Sequence, residues 1–326
     1  MTDEIADVAH RQHPIDSPFG AKSTASEVLT GIDLTGRLVL MTGGYSGLGL
    51  EATKALTAAG AHVVVPARRP EVAAEALANV PHTEVDELDL GDQESIRAFA
   101  GRFLSSGRDI HYTIDSAAIM ANPYTTVGPG WESQFGTNHL GHFALVNRLW
   151  PAIARGQGRV VSVSSSGHRR GGIQWDDLDF TQGYDKWRAY AQAKTANALF
   201  ALQLDRLAAP QGVRAFSVHP GGILTPLQRH LPKQEMVDLG WIDEAGNQLA
   251  AFKTPEQGAA TQVWAATSEL LNGLGGVYLE DCNIAEPAPE ESTTVMGGVR
   301  SWATDPAEAE RLWALSAERT GVTAFS

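Results

Sequence analysis

The feature that most limits what this chain can fold into is an alternation. Six short apolar runs, at 37–42, 61–67, 83–88, 110–117, 159–165 and 213–219, are separated by segments in which Ala, Leu and Phe recur at three- and four-residue spacing, at 48–59, 71–78, 93–105, 131–155 and 186–208. A strand covered on both faces reads as a continuous apolar run, and a helix between two such strands is the crossover that parallel pairing requires. The alternation predicts an α/β fold, doubly wound, with helices on both faces of a parallel seven-stranded sheet. The seventh strand is expected at 276–280, and a C-terminal helix at 305–318, opened by Asp305-Pro306.

The rest of the chain fits one large domain. Residues 1–36, mixed in composition and interrupted by Pro14 and Pro18, read as an N-terminal arm on the surface, and 37–326 as the domain itself. Within it, about 222–255 breaks into Gly, Pro and short helical fragments. That is too long for a simple connector, so a substrate-covering segment is expected there. Lys and Arg number 25 against 38 Asp and Glu, a net charge of −13 that disfavours nucleic acid and anionic membrane surfaces as partners. With no long apolar stretch and no signal-peptide core, the expected location is cytoplasmic, with no membrane contact. The single cysteine, Cys282, has no disulfide partner and reads as a small buried hydrophobe.

The first apolar run enters Thr42-Gly43-Gly44-Tyr45-Ser46-Gly47-Leu48-Gly49, and a helix follows. Glycines at 43, 47 and 49 suit a tight turn, close approach to a pyrophosphate and close helix packing, while the helix N-terminus offers unpaired N–H donors; the domain is therefore read as Rossmann-type, binding a dinucleotide. The second run ends in Ala67-Arg68-Arg69, with two guanidinium groups where an acidic residue would select a free 2′-hydroxyl. The cofactor expected is NADP(H) rather than NAD(H), unless Arg68 and Arg69 are merely solvated.

Tyr190 and Lys194 stand four apart on a helix, on one face, so an ammonium adjoins a phenol and favours phenolate. The fifth run ends in Ser162-Val163-Ser164-Ser165, at the end of a strand that faces the ligand crevice.

With Thr137-Asn138-His139-Leu140-Gly141-His142-Phe143 and His219-Pro220-Gly221-Gly222-Ile223-Leu224-Thr225, these motifs resemble the short-chain dehydrogenase/reductase superfamily over about 36–321. The ending 302–321 looks most like the retinol-dehydrogenase and WW-domain-oxidoreductase branch, here without a membrane anchor or WW module. The resemblance implies Tyr190 as general acid/base, Lys194 on the nicotinamide ribose and Ser165 on the substrate oxygen, with Ser164 as the alternative. It implies Asn138 holding a water in a proton relay, Asp89 and Leu90 near adenine, and Thr225 on the carboxamide. It also places Gly43, Tyr45, Ser46, Gly47, Leu48, Gly49, Ala117, Pro220, Gly221 and Ile223 at the cofactor. Read alone, Asn138 could bridge helices, Thr225 could start a turn and Asp89 could cap a helix. Asp115-Ser116-Ala117-Ala118 departs from the family's Asn-Asn-Ala-Gly, which bears on the adenosine side.

The expected function is interconversion of a small hydrophobic alcohol and its ketone or aldehyde, without a metal. The resemblance implies a homodimer or homotetramer. Trp241, Leu239, Met236 and Leu231 either line an apolar cleft or pack as core. His139 and His142 lack a third ligand, and Asp176, Asp177 and Asp179 lack calcium-loop spacing. The alternatives are an NADP(H)-binding redox sensor without turnover, and an NAD-dependent dehydrogenase of the same fold. A sugar epimerase or dehydratase would carry a longer glycine loop.

Overall fold

The computed structural model describes residues 10–249, 252–289 and 297–325. Residues 1–9 of the expected arm, 250 and 251 of the covering segment, and 290–296 and 326 of the domain lie outside the described residues. One sheet holds eight strands: β1 (Leu38–Thr42), β2 (His62–Ala67), β3 (Thr83–Glu87), β4 (Tyr112–Asp115), β5 (Arg159–Val163), β6 (Arg214–His219), β7 (Tyr278–Glu280) and β8 (Asn283–Ile284). Their order is β8-β7-β6-β5-β4-β1-β2-β3. The seven expected strands are all parallel, and the sheet exceeds the expectation by one antiparallel edge strand, β8. A two-residue turn, Asp281 (φ 51°) and Cys282 (φ 55°), reverses the chain into β8. Winding changes direction between β1 and β4, and a ligand crevice opens at the carboxyl ends there.

The helices are α1 (Ala25–Val28), α2 (Gly47–Ala58), α3 (Pro70–Ala76), α4 (Gln93–Ser105), α5 (Gly141–Gly156), α6 (Lys186–Ala208), α7 (Lys233–Asp238), α8 (Pro255–Thr267) and α9 (Pro306–Thr320). Side chains of β1 alternate between two cores. Val39 and Met41 join Leu56 and Trp264 under α1, α2 and α8. Leu40 joins Phe99, Phe143 and Phe200 under α4, α5 and α6. On the outside of α6, α9 stacks Trp313 on Phe200, with ring centroids 5.9 Å apart. No helix among the described residues is long and apolar enough to cross a membrane.

Two local expectations fail. The stretch 131–155 is not one helix: Trp131–Glu132 pairs with Thr126–Val127 as a short ribbon, a single turn follows at Ser133–Phe135, and Gly136–Leu140 is π-helical before α5 begins. The helical stretch starts after Glu132 because its buried carboxylate accepts from the Gln134 and Phe135 amides. The arm from residue 10 does more than lie on the surface. Gln12 is buried and pairs with both backbone groups of Tyr278, at 2.9 Å each, and α1, closed by a Thr24–Glu27 capping box, buries Ala25 and Val28.

Candidate active site

A cleft of about 810 Å³ opens over the carboxyl ends of β1, β4, β5 and β6. Its floor begins at the glycine loop. Gly43 has φ +70°, and a Cβ there would lie 2.9 Å from the Ala117 Cα; a Cβ on Gly49 would collide with the Gly43 carbonyl. Only glycine lets β1, β4 and α2 approach this closely. The first turn of α2 carries no acidic side chain, and Ser46 makes no capping bond, so the N–H groups of Gly47, Leu48 and Gly49 present positive potential to the cleft. Tyr45, Ala117, Asp89 and Leu90 line the same wall, and the Asp89 carboxylate accepts from the Gly91 amide at 2.9 Å. Arg68 and Arg69 are exposed where β2 ends; among the described residues neither forms an ion pair. Small backbone-lined turns, unneutralised N–H donors and open guanidinium groups fit a pyrophosphate-containing dinucleotide.

Across the cleft, Pro220, Gly221, Ile223 and Thr225 follow β6. This wall is anchored by Lys253, whose amide donates to the Gly222 carbonyl at 2.8 Å and whose ammonium meets Asp281 at 2.5 Å. The Thr225 hydroxyl accepts from Leu227 within its own capping box, and its methyl packs on Gly47. Of the covering segment, Leu239 and Trp241 line the cleft, whereas Leu231 and Met236 pack in a small cluster with Met120 and Tyr190. The two readings of that segment therefore divide between its residues.

Asp185 caps α6, which brings Tyr190 and Lys194 to the cleft, both buried, with the ammonium 5.8 Å from the phenol ring centroid. The hydroxyl of Ser164 turns inward and donates to the Lys194 carbonyl at 2.7 Å, leaving the Ser165 hydroxyl to face Tyr190. Gly167 lies against the tyrosine ring, where a Cβ would come within 2.8 Å of its Cε1. Lys194 Nζ donates to the Val163 carbonyl at 2.7 Å. Burial pushes the Tyr190 phenol up to about 12, with the Ser165 hydroxyl pulling it down, and pushes the Lys194 ammonium down to about 7. The expected lowering of the phenol by the neighbouring cation is thus outweighed by desolvation of both groups.

Asn138 is the one predicted site residue that does not line the cleft. Its carboxamide pairs with both backbone groups of Ile119, at 2.9 Å each, and its carbonyl accepts from Asn197 at 2.8 Å and His142 at 3.0 Å. These contacts tie Asn138 to the loop after β4 and to α6, as the bridging alternative expects.

Several residues around the site were not singled out from the sequence as part of it. Thr42 accepts from the Ser116 and Ala117 amides at 3.0 Å each and donates to His142 at 2.9 Å, fastening β1 to β4 where the family's asparagine is replaced by Ser116. His168 and Tyr278 both reach the Ser165 carbonyl. Burial holds His142 and His168 neutral, each pushed down to about 4. These contacts join positions far apart in the chain, and no local spacing announces them.

The family profile described as short chain dehydrogenase matches residues 37–236. A "probable oxidoreductase" of Streptomyces lividans is 43% identical over 297 residues, covering 88% of this chain and 98% of its own length. Human retinol dehydrogenase 11 is 34% identical over 315 residues, covering 94% of this chain and 93% of its own. A crystal structure of a Mycobacterium paratuberculosis protein superposes with a TM-score of 0.71 at 33% identity, covering 93% of this chain and 98% of the other. A family profile over more than half of the chain and relatives of 34–43% identity along nearly its whole length establish the affiliation: the chain belongs to the short-chain dehydrogenase/reductase family of oxidoreductases.

Proposed function

We propose that the protein is an NADP(H)-dependent oxidoreductase that interconverts a hydrophobic alcohol and its ketone or aldehyde. One observation carries this reading: the Tyr190 phenol lies beside Ser165 and Lys194 in the same cleft as the glycine loop and the two free-standing arginines. The glycine loop and the α2 N-terminus would hold the pyrophosphate, and Arg68 and Arg69 a 2′-phosphate. When bound, the nicotinamide supplies the hydride.

The chain's own residues manage the proton. Tyr190, protonated at neutral pH because burial holds it near 12, donates its hydroxyl hydrogen to the substrate oxygen as negative charge grows there. Ser165 donates a second hydrogen bond to the same oxygen and fixes its position. Lys194, titrating near 7, offers a cation that stabilises the phenolate left behind. In the oxidative direction Tyr190 takes the proton back. Apolar walls at Leu227, Leu239, Trp241 and Phe252 favour a substrate with a hydrophobic body.

The test is NADPH oxidation, followed by absorbance, across aromatic and aliphatic ketones and aldehydes. Turnover with hydrophobic members is expected, and Tyr190→Phe should lower it by about a hundred- to ten-thousandfold with cofactor affinity nearly unchanged. Binding of NADPH with no oxidation by any carbonyl compound would instead favour the sensor.

A further inference from the structure

Beyond Tyr190, the apolar end of the cleft holds an arginine that the proton chemistry does not use. Arg170 lies exposed in the cleft lining, its guanidinium carbon 5.1 Å from the Trp187 ring centroid, and Trp187 in turn meets the Tyr190 ring at 6.4 Å, edge to face. The guanidinium therefore stands two ring contacts from the reacting hydroxyl. Among the described residues it forms no ion pair. Glu235, which shares the Trp187 side chain with Arg170, is engaged with the indole N–H at 2.9 Å and with Lys186 at 2.6 Å. Two other charges line this end. Asp238 accepts from Gln234 at 2.9 Å, and Arg229 donates to the Pro226 carbonyl at 3.2 Å; neither Glu235 nor Asp238 forms an ion pair with Arg170.

The aromatic frame beneath it is continuous. Trp187 and Trp241 pack perpendicular at 5.9 Å, and Trp241 meets Phe252 at 6.0 Å. A guanidinium stacked on an indole keeps its in-plane N–H donors pointing outward, preorganised for a two-oxygen anion. A chain carrying a net charge of −13 has little general attraction for anions, so the selectivity must be local.

The geometry points to a substrate with two ends: an apolar carbonyl or alcohol compound bearing a carboxylate, held by Arg170 while its reacting oxygen meets Tyr190 and Ser165. This rests on the proposed alcohol–carbonyl chemistry of the same cleft. Arg170 acts in specificity and touches neither the proton nor the cofactor.

The experiment separates the two readings by measuring binding as well as turnover. Calorimetry compares naphthylacetate with its neutral analogue naphthylacetamide, on the free protein and again with NADP⁺ added. The carboxylate is expected to bind about tenfold more tightly than the amide, and the ratio should fall toward one in Arg170→Gln, return largely in Arg170→Lys, and shrink with added salt. A ratio near one in the unaltered protein overturns the proposal, as does a ratio that survives in Arg170→Gln. A tenfold loss of NADP⁺ affinity in Arg170→Gln would also overturn it, by assigning the guanidinium to the cofactor. If NADP⁺ gives no heat and no ketone is reduced, the redox reading fails, while the carboxylate-to-amide ratio on the free protein still decides the role of Arg170.

Discussion

The imidazole Nδ1 of His168 donates to the main-chain carbonyl of Ser165 across 2.6 Å. The tautomer follows from the other side of the ring, where Nε2 accepts from the Arg300 amide at 3.2 Å. The Tyr278 hydroxyl also reaches the Ser165 carbonyl, at 3.1 Å, and Gln12 clamps the Tyr278 backbone. The Trp302 indole donates to the His168 carbonyl at 3.0 Å. Residues from both ends of the chain thus converge on the turn that aims the Ser165 hydroxyl at Tyr190.

His168 should accordingly act as a positioning residue. Replacing it with leucine leaves the Ser165 carbonyl short of a donor and the Arg300 amide short of an acceptor, which costs about 1–3 kcal/mol per buried group. We expect His168→Leu to lower the unfolding midpoint and to reduce kcat about tenfold, with KM for the cofactor little changed. His168→Asn, which keeps an N–H donor near the Nδ1 position, should recover much of kcat. Equal losses in both variants, or none in kcat, would count against the assignment.

The Lys194 ammonium is buried, and stability should reflect it. Its folded-state value, near 7, lies below the ordinary 10.5 of an unfolded lysine. Between those values the unfolded chain holds more protons, so this group's penalty is full below about 7 and fades as the pH rises toward 10.5. Lys194→Met should raise the cofactor-free unfolding midpoint by several degrees at pH 6 and by much less at pH 10, while abolishing turnover. A stability difference that does not change with pH would show that the lysine is not burdened by burial.

Arg68 offers a cleaner test of cofactor choice than the glycine loop, which serves either nicotinamide cofactor. Arg68→Asp removes a phosphate donor and adds a carboxylate that repels the 2′-phosphate and accepts from a 2′-hydroxyl. Loss of NADPH affinity by about ten- to a hundredfold is expected, with NADH unchanged or tighter. Titration of both cofactors by fluorescence reads this directly, and equal weakening of the two would remove the basis for preferring NADP(H).

How much of this was legible depends on whether local chemistry or distant contact sets the structure. Helices α4 and α6 run over the residues their patterns predicted, because Asp92 and Asp185 cap them from the adjoining position. The glycine loop, Ser165, Tyr190 and Lys194 were readable because they stand at strand ends or one helical turn apart, and the fold brings such positions together. Strand β8 was not, since its turn uses Asp281 and Cys282 at positive φ in place of the Asn-Gly pair that signals such hairpins. The π-helical stretch was hidden too, being tied by Asn138 to Ile119 and Asn197. Nothing in residues 136–140 alone specifies those partners.

The last prediction concerns Asp115, at the end of β4 with Thr42 and Ser162 as its lateral partners in the sheet. Both carboxyl oxygens are buried without a hydrogen-bond partner, as is the Ser162 hydroxyl beside them. Burial raises this acid well above its ordinary range, so the folded protein holds it protonated where the unfolded chain would ionise it. A raised carboxyl imposes no penalty below about 3.9; the penalty grows as pH climbs through the window up to the folded value. Asp115→Asn, which restores the amide expected from the family's pattern, should therefore stabilise the protein, slightly at pH 5 and by more at pH 8, with denaturant midpoints as the measurement. Because the side chain does not line the cleft, kcat should stay within about twofold of the starting value. A destabilised variant at pH 8 would mean that the acid is ionised and held by a partner, and that the desolvation argument for this strand end is wrong.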